Sequence, residues 1–221
     1  MAPNLPLKRA DSILNDDMGL LLIVRHGETE WNRVERLRGR ADLDLNPNGV
    51  QQAQAAARRL AQWHPAKVYS SPLRRTVHMA QVISETLSCP LNFMEELIDL
   101  DYGQWQGLSP QEASGKDGDL YQRWLNSPHL VKFPGGEGLE DVRARAETAI
   151  NQIMENHPQE TVVVVSHKVV CHVLVLALLS LDNSRFWQVS QDVAAINLFE
   201  LRQPYPAVMM INDTCHLRET S

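Results

Sequence analysis

Short aliphatic runs alternate along this chain with longer stretches of helical periodicity. LLLIV at residues 20–24 has no polar position, the pattern of a strand buried on both faces. A polar loop is expected from there through about residue 47. NPNGVQQAQAAARRLAQW then places alanines on one side of a helix, with Asn46 or Asn48 at its cap. KVYSSP reads as a second strand, RRTVHMAQVISETL as a second helix, and LNFMEELIDLDYG as a strand running into a loop. GLEDVRARAETAINQIMENH predicts a third amphipathic helix, TVVVV a strand, and KVVCHVLVLALLSL a buried helix. AAINLFELR and PAVMMIND supply two last strands across a Pro-containing turn. Such alternation predicts an α/β layered protein with a largely parallel sheet.

No linker divides the pattern, so residues 19–221 are expected to form one domain, with a short cap segment around 104–138. Residues 1–18 are polar, lack the apolar core of a signal peptide, and are expected to be a flexible tail. The longest apolar stretch, VVCHVLVLALLSL, contains a histidine and falls short of a bilayer span.

In open α/β sheets, ligands bind beyond the carboxyl ends of the strands. LLLIV is followed by Arg25-His26-Gly27, KVY by Ser70-Ser71-Pro72-Leu73-Arg74-Arg75, LNFMEEL by Ile98-Asp99, and TVVVV by Ser166-His167-Lys168. Taken singly, each of these is an ordinary structural or solvated residue. Two histidines, arginines and a carboxylate at one sheet edge together favour a site for a doubly charged phosphoryl group, since guanidinium forks match phosphate oxygens in pairs.

Composition narrows the classes. The apolar fraction is 43% and the net charge −6 over 221 residues, which argues against a nucleic-acid binder working through bulk charge. No membrane partner is expected, and oligomeric state is not readable from one sequence. Cys89, Cys171 and Cys215 are widely spaced, which fits reduced thiols in a cytoplasm. Metal-ligand spacing such as HExxH is absent, so the chemistry expected uses no metal and no cofactor. Neutral imidazole attacks phosphorus without metal help, and a nearby carboxylic acid supplies the proton for the leaving alkoxide.

RHGETEWN at residues 25–32 resembles the signature of the histidine phosphatase superfamily, which includes phosphoglycerate mutases and many small-molecule phosphatases. The resemblance covers roughly residues 20 to 217, through RLRGRADLDLNPNGVQQA, YSSPLRRTVHMA, LIDLDYGQWQG, FPGGEGLEDV, VVVVSHK and INDTCHL. It implies a three-layer α/β/α sandwich of phosphoglycerate mutase type. By the same resemblance His26 is the phosphorylated nucleophile, with Arg25, Arg75 and His167 around the phosphoryl group. Arg74 is left at the surface. Asn32 and Gly39 match pocket positions. Family members commonly carry a glutamate four residues before the glycine matched by Gly103; here that position is Asp99, the expected proton donor, with Glu96 in reserve.

Two further departures stand out. Lys168 replaces the glycine that often follows the second histidine, and Arg38 stands where an uncharged side chain is common. Both are candidate substrate-binding residues, although a lysine directed to solvent is an equal reading of Lys168. The segment before FPGGEG is short, with Lys116, Arg123 and Lys132 as its basic residues, which favours a phosphatase of small phosphorylated metabolites over a mutase using a bisphosphoglycerate. Trp124, Leu125 and Phe133 lie in that segment, and packing is the first expectation for Trp124. A non-catalytic phosphoester-binding module is the remaining alternative, but binding alone needs no nucleophile.

Overall fold

The computed structural model describes residues 18–220; the expected tail, apart from Met18, lies outside them. Six strands form one sheet: β1 (Leu20–Arg25), β2 (Lys67–Ser70), β3 (Leu91–Phe93), β4 (Thr161–Ser166), β5 (Ile196–Glu200) and β6 (Ala207–Asp213), in the order β3-β2-β4-β1-β5-β6. β1, β2, β3 and β4 are parallel, and β5 runs antiparallel to both β1 and β6. Direction of pairing leaves no mark in an aliphatic run, so the reversal at β5 could not be anticipated.

Helices cover both faces because the central strands are apolar on both. Leu20, Leu22 and Val24 of β1 pack with Val163 and Val165 against α2 (Pro47–Leu60) and α3 (Arg74–Leu87). Leu21, Ile23, Val162 and Val164 face α6 (Leu139–Asn156) and α7 (Lys168–Leu178) on the other side. Full burial of each such valine stabilises the fold by about 1.5–3 kcal/mol. Asn46 caps α2, accepting from the Gly49 amide at 2.8 Å. The helix α7 is buried nearly all round, as its composition predicts.

Two stretches carry helices that periodicity did not reveal. The expected loop after β1 contains a one-turn helix, α1 (Glu30–Arg33), held at its start by the Thr29 amide and hydroxyl, which both donate to Asn32 Oδ1, at 3.0 and 2.8 Å. The segment between the sheet and α6 holds α4 (Pro110–Lys116) and α5 (Gly118–Asn126). Its aromatics interlock: Phe133 meets Tyr102, Trp105 and Trp124 with ring centroids 5.0, 5.3 and 5.2 Å apart. Among the described residues, no helix is long and apolar enough to cross a membrane.

Candidate active site

β1 and β4 are neighbours in register, with Arg25 opposite Ser166, so the residues just beyond them emerge side by side. The His26 amide donates to the Ser166 carbonyl at 2.9 Å, which continues the ladder one step past the strands. The two imidazoles then lie with centroids 5.4 Å apart, both without solvent exposure. Here the chain diverges, β1 leading to helices on one face and β4 to α7 on the other, the kind of switch point at which α/β sheets bind ligands.

Hydrogen bonds fix the tautomer of each ring. His26 Nδ1 lies 2.6 Å from the Gly27 carbonyl, an acceptor only, so Nδ1 carries the proton and Nε2 keeps its lone pair. That Nε2 is buried and has no hydrogen-bond partner among the described residues. Arg75 Nε donates to His167 Nδ1 at 3.1 Å, so the proton of His167 sits on Nε2, which donates to Ser71 Oγ at 2.7 Å. Burial, reinforced by Arg75, holds both imidazoles well below the ordinary histidine range, so both are neutral.

Arg75 enters from the first turn of α3 and is itself unexposed. Its Nη1 donates to the Ala41 carbonyl at 2.7 Å, and its Nη2 to the Gly39 carbonyl at 2.8 Å and to Asp99 Oδ2 at 3.1 Å. Gly39 supplies its carbonyl at a φ of +50°, a left-handed conformation glycine adopts freely. Arg25 donates from Nη1 to the Gln191 carbonyl at 2.6 Å, and burial with Arg38 nearby lowers its guanidinium to about 10. Arg74 points away and pairs with Asp44.

Asp99 is the carboxylate that reaches the histidines, with Oδ2 3.9 Å from His167 Nδ1. Burial raises its pKa, while Arg75 and Arg38 pull the other way; desolvation of a fully enclosed carboxylate outweighs the pair. Glu96 sits half-buried in the turn Glu95–Leu97 before it. Arg145 of α6 holds this turn, its Nη1 donating to the carbonyls of Glu96 and Ile98 at 2.7 and 2.5 Å and its Nη2 to that of Asp99 at 3.1 Å.

Beside Arg25 and Lys168, the sequence neighbours of the two histidines, opens a cavity of about 270 Å³, lined also by Asn32, Arg38, Trp124 and Trp187. Lys168 is half-buried at this wall, its ammonium 5.8 Å from the centre of the Trp187 ring. Trp124 packs as expected and also faces the cavity, whereas Leu125 is exposed. The basic residues of the cap are turned elsewhere: Lys116 donates to the Gln104 carbonyl at 2.8 Å, Lys132 pairs with Asp141 at 3.2 Å, and Arg123 is exposed. Sequence reading missed Ser71, Arg145, Gln191 and Trp187. Gln191 acts through its main-chain carbonyl, which leaves no signature in residue type.

An imidazole lone pair, two guanidinium groups and a buried carboxyl meet at one sheet edge, and residues 21–214 match the model of the histidine phosphatase superfamily, branch 1. The chain belongs to that family. It is 37% identical to phosphoserine phosphatase 1 of Hydrogenobacter thermophilus over 199 residues, covering 90% of this chain and 94% of the relative. It is 32% identical to a metal-independent phosphoserine phosphatase of Arabidopsis thaliana over 200 residues, covering 89% and 82%. Among solved structures, phosphoserine phosphatase from Entamoeba histolytica in complex with 3-phosphoglyceric acid superposes with a TM-score of 0.82 at 26% identity, covering 90% of this chain and all of that one (100%).

Proposed function

We propose that this chain is a phosphomonoesterase that hydrolyses a small phosphorylated metabolite through a phosphohistidine at His26, with phosphoserine as the leading substrate. The observation that carries the reading is the buried, partnerless Nε2 of a neutral His26 placed among Arg25, Arg75 and His167. The Nε2 lone pair attacks phosphorus in line with the departing oxygen. Arg25, Arg75 and the Nε2–H of His167 take up charge on the equatorial oxygens, the usual source of catalysis in such transfers. As the P–O bond breaks, Asp99 in its acid form gives its proton to the alkoxide. The resulting carboxylate then takes a proton from water, whose oxygen attacks the phosphohistidine. The P–N bond breaks, phosphate leaves, and His26 and Asp99 regain their starting states.

Asn32, Arg38, Gly39 and Lys168 bind or shape around the substrate in this scheme. The leading substrate is suggested by the names of the relatives. Unpaired Cys89, Cys171 and Cys215 accord with a reducing compartment, and a cytoplasmic enzyme is the reading they support. Phosphate release from phosphoserine tests the proposal, together with capture of a labelled phosphoenzyme. Both signals are expected from the wild type and neither from His26→Ala; undiminished turnover by His26→Ala overturns it.

A further inference from the structure

The cavity carries more positive charge than one phosphoryl group uses. Arg25, Arg36, Arg38 and Lys168 line it against a single lining carboxylate, Glu35. Arg36 is compensated by Glu112 at 3.0 Å, and Arg25 and Arg75 flank His26 and are accounted for by the phosphoryl group. Arg38 donates from Nη1 to the Arg36 carbonyl at 3.2 Å, and its buried Nε has no hydrogen-bond partner among the described residues. Lys168 makes no hydrogen bond or ion pair with another described residue; its ammonium rests over Trp187 instead. That ring is fixed, with Trp187 Nε1 donating to the Trp124 carbonyl at 3.0 Å.

Lys168 is placed at a cost to the folded state. It is the first residue of α7, where the helix dipole disfavours a cation. Burial, then Arg25 and Arg38, lower its pKa and outweigh the opposing pull of Asp192, so its surroundings disfavour the charged form. An anion arriving at this wall relieves all of these penalties at once. Lys168 follows His167 directly and lines the same cavity as Arg25, the residue before His26, so an anion held there shares one small cavity with the group that Arg25 binds. That arrangement suits a second charge on the same small molecule.

We propose that Lys168, seated on Trp187 and backed by Arg38, forms a carboxylate subsite beside the phosphoryl pocket, selecting small phosphomonoesters whose alcohol bears a carboxylate. The inference deepens the phosphatase reading and takes its substrate class from that site. Trp124, Trp187 and Phe186 supply the apolar lining of the same cavity.

Phosphoserine and phosphoethanolamine differ only by the carboxylate, and calorimetric titration of the His26→Ala chain reads their binding without turnover. Phosphoserine is expected to bind at least about tenfold tighter, the scale of one charge-assisted contact. Adding Lys168→Ala collapses that ratio, and Lys168→Arg in its place restores it. Lys132→Gln removes the same charge from an exposed position and leaves the ratio intact. A ratio unchanged by Lys168→Ala, or a ratio near one before it, overturns the subsite. Wild type that discriminates in binding but hydrolyses neither ester retains the subsite and refutes the phosphatase reading. Hydrolysis of both without discrimination does the reverse.

Discussion

Arg75 Nε and His167 Nδ1 stand 3.1 Å apart, and because a guanidinium only donates, this contact makes His167 an acceptor at Nδ1 and a donor at Nε2. His26 has the opposite tautomer, fixed by Gly27. Imidazole ¹⁵N shifts are expected to report Nδ1–H for His26 and Nε2–H for His167. Arg75→Lys cannot serve His167, Gly39, Ala41 and Asp99 together. The His167 signals of that variant should show mixed tautomers, and kcat should fall by about 10²-fold or more, as for loss of a preorganised donor.

Asp99→Asn removes the proposed proton donor and keeps the shape. Its kcat toward an alkyl phosphoester should fall by about 10²–10⁴, the usual worth of acid–base help. The loss should be much smaller with p-nitrophenyl phosphate, whose leaving group needs no proton. Glu96→Gln should stay near wild type on both substrates; equal losses in the two variants would return Glu96 to consideration.

Much of this site was legible because its chemistry rides on strands that announce themselves. An aliphatic run such as TVVVV has to be buried, and the residues just past its end have to emerge at an edge; His167 is therefore readable from position alone. The helix α3 begins and ends at the residues its periodicity predicted, Arg74 and Leu87. The features that stayed hidden depend on partners far away in sequence. Arg25 is held by a carbonyl 166 residues distant, and Arg145 reaches the Asp99 carbonyl across 46. The cap helices escaped notice because they are short, and α1 is held only by the bonds between Thr29 and Asn32.

The depressed pKa of His26 sets the acid side of the pH profile. A histidine at its ordinary value of 6.5 would be half protonated there, whereas burial keeps His26 neutral to lower pH. The acid limb of kcat/KM, which reports the free enzyme, should therefore fall below pH 6.5. In the proposed scheme Asp99 acts in its protonated form, and its raised pKa extends that form upward from 3.8, so Asp99→Asn should flatten the alkaline limb.

Stability should respond to the same burial. His26, His167 and His172, the last lowered to about 3, bind fewer protons folded than unfolded below pH 6.5. Their stabilisation is complete above 6.5 and is lost as pH falls toward the folded values, at about 1.4 kcal/mol per histidine per pH unit. Asp99, raised, acts in the opposite direction above its ordinary 3.8. Melting temperature should drop between pH 7 and pH 5, and less steeply in His172→Leu.

Arg145→Met should damage the site without touching substrate. It removes three donations to the turn that carries Asp99 and leaves Glu137 with Arg40, at 3.2 Å, as its remaining cation partner. A loss of about 2–4 kcal/mol is expected in denaturant unfolding. kcat should fall more than KM rises, because the carboxyl is displaced while the cations that hold phosphate remain.

Two aromatic residues of the cavity wall lie apart from the strand ends that carry two of its cations, Arg25 and Lys168. His26, His167 and Arg75 come just after sheet strands, whereas Trp124 and Trp187 sit on short helices between strands. The strand-borne set is constrained by the core and by each other; the wall is constrained mainly by its own packing. A lineage built on this frame can therefore change part of its diet by rewriting the residues around Trp124 and Trp187 while the groups at the strand ends stay in place.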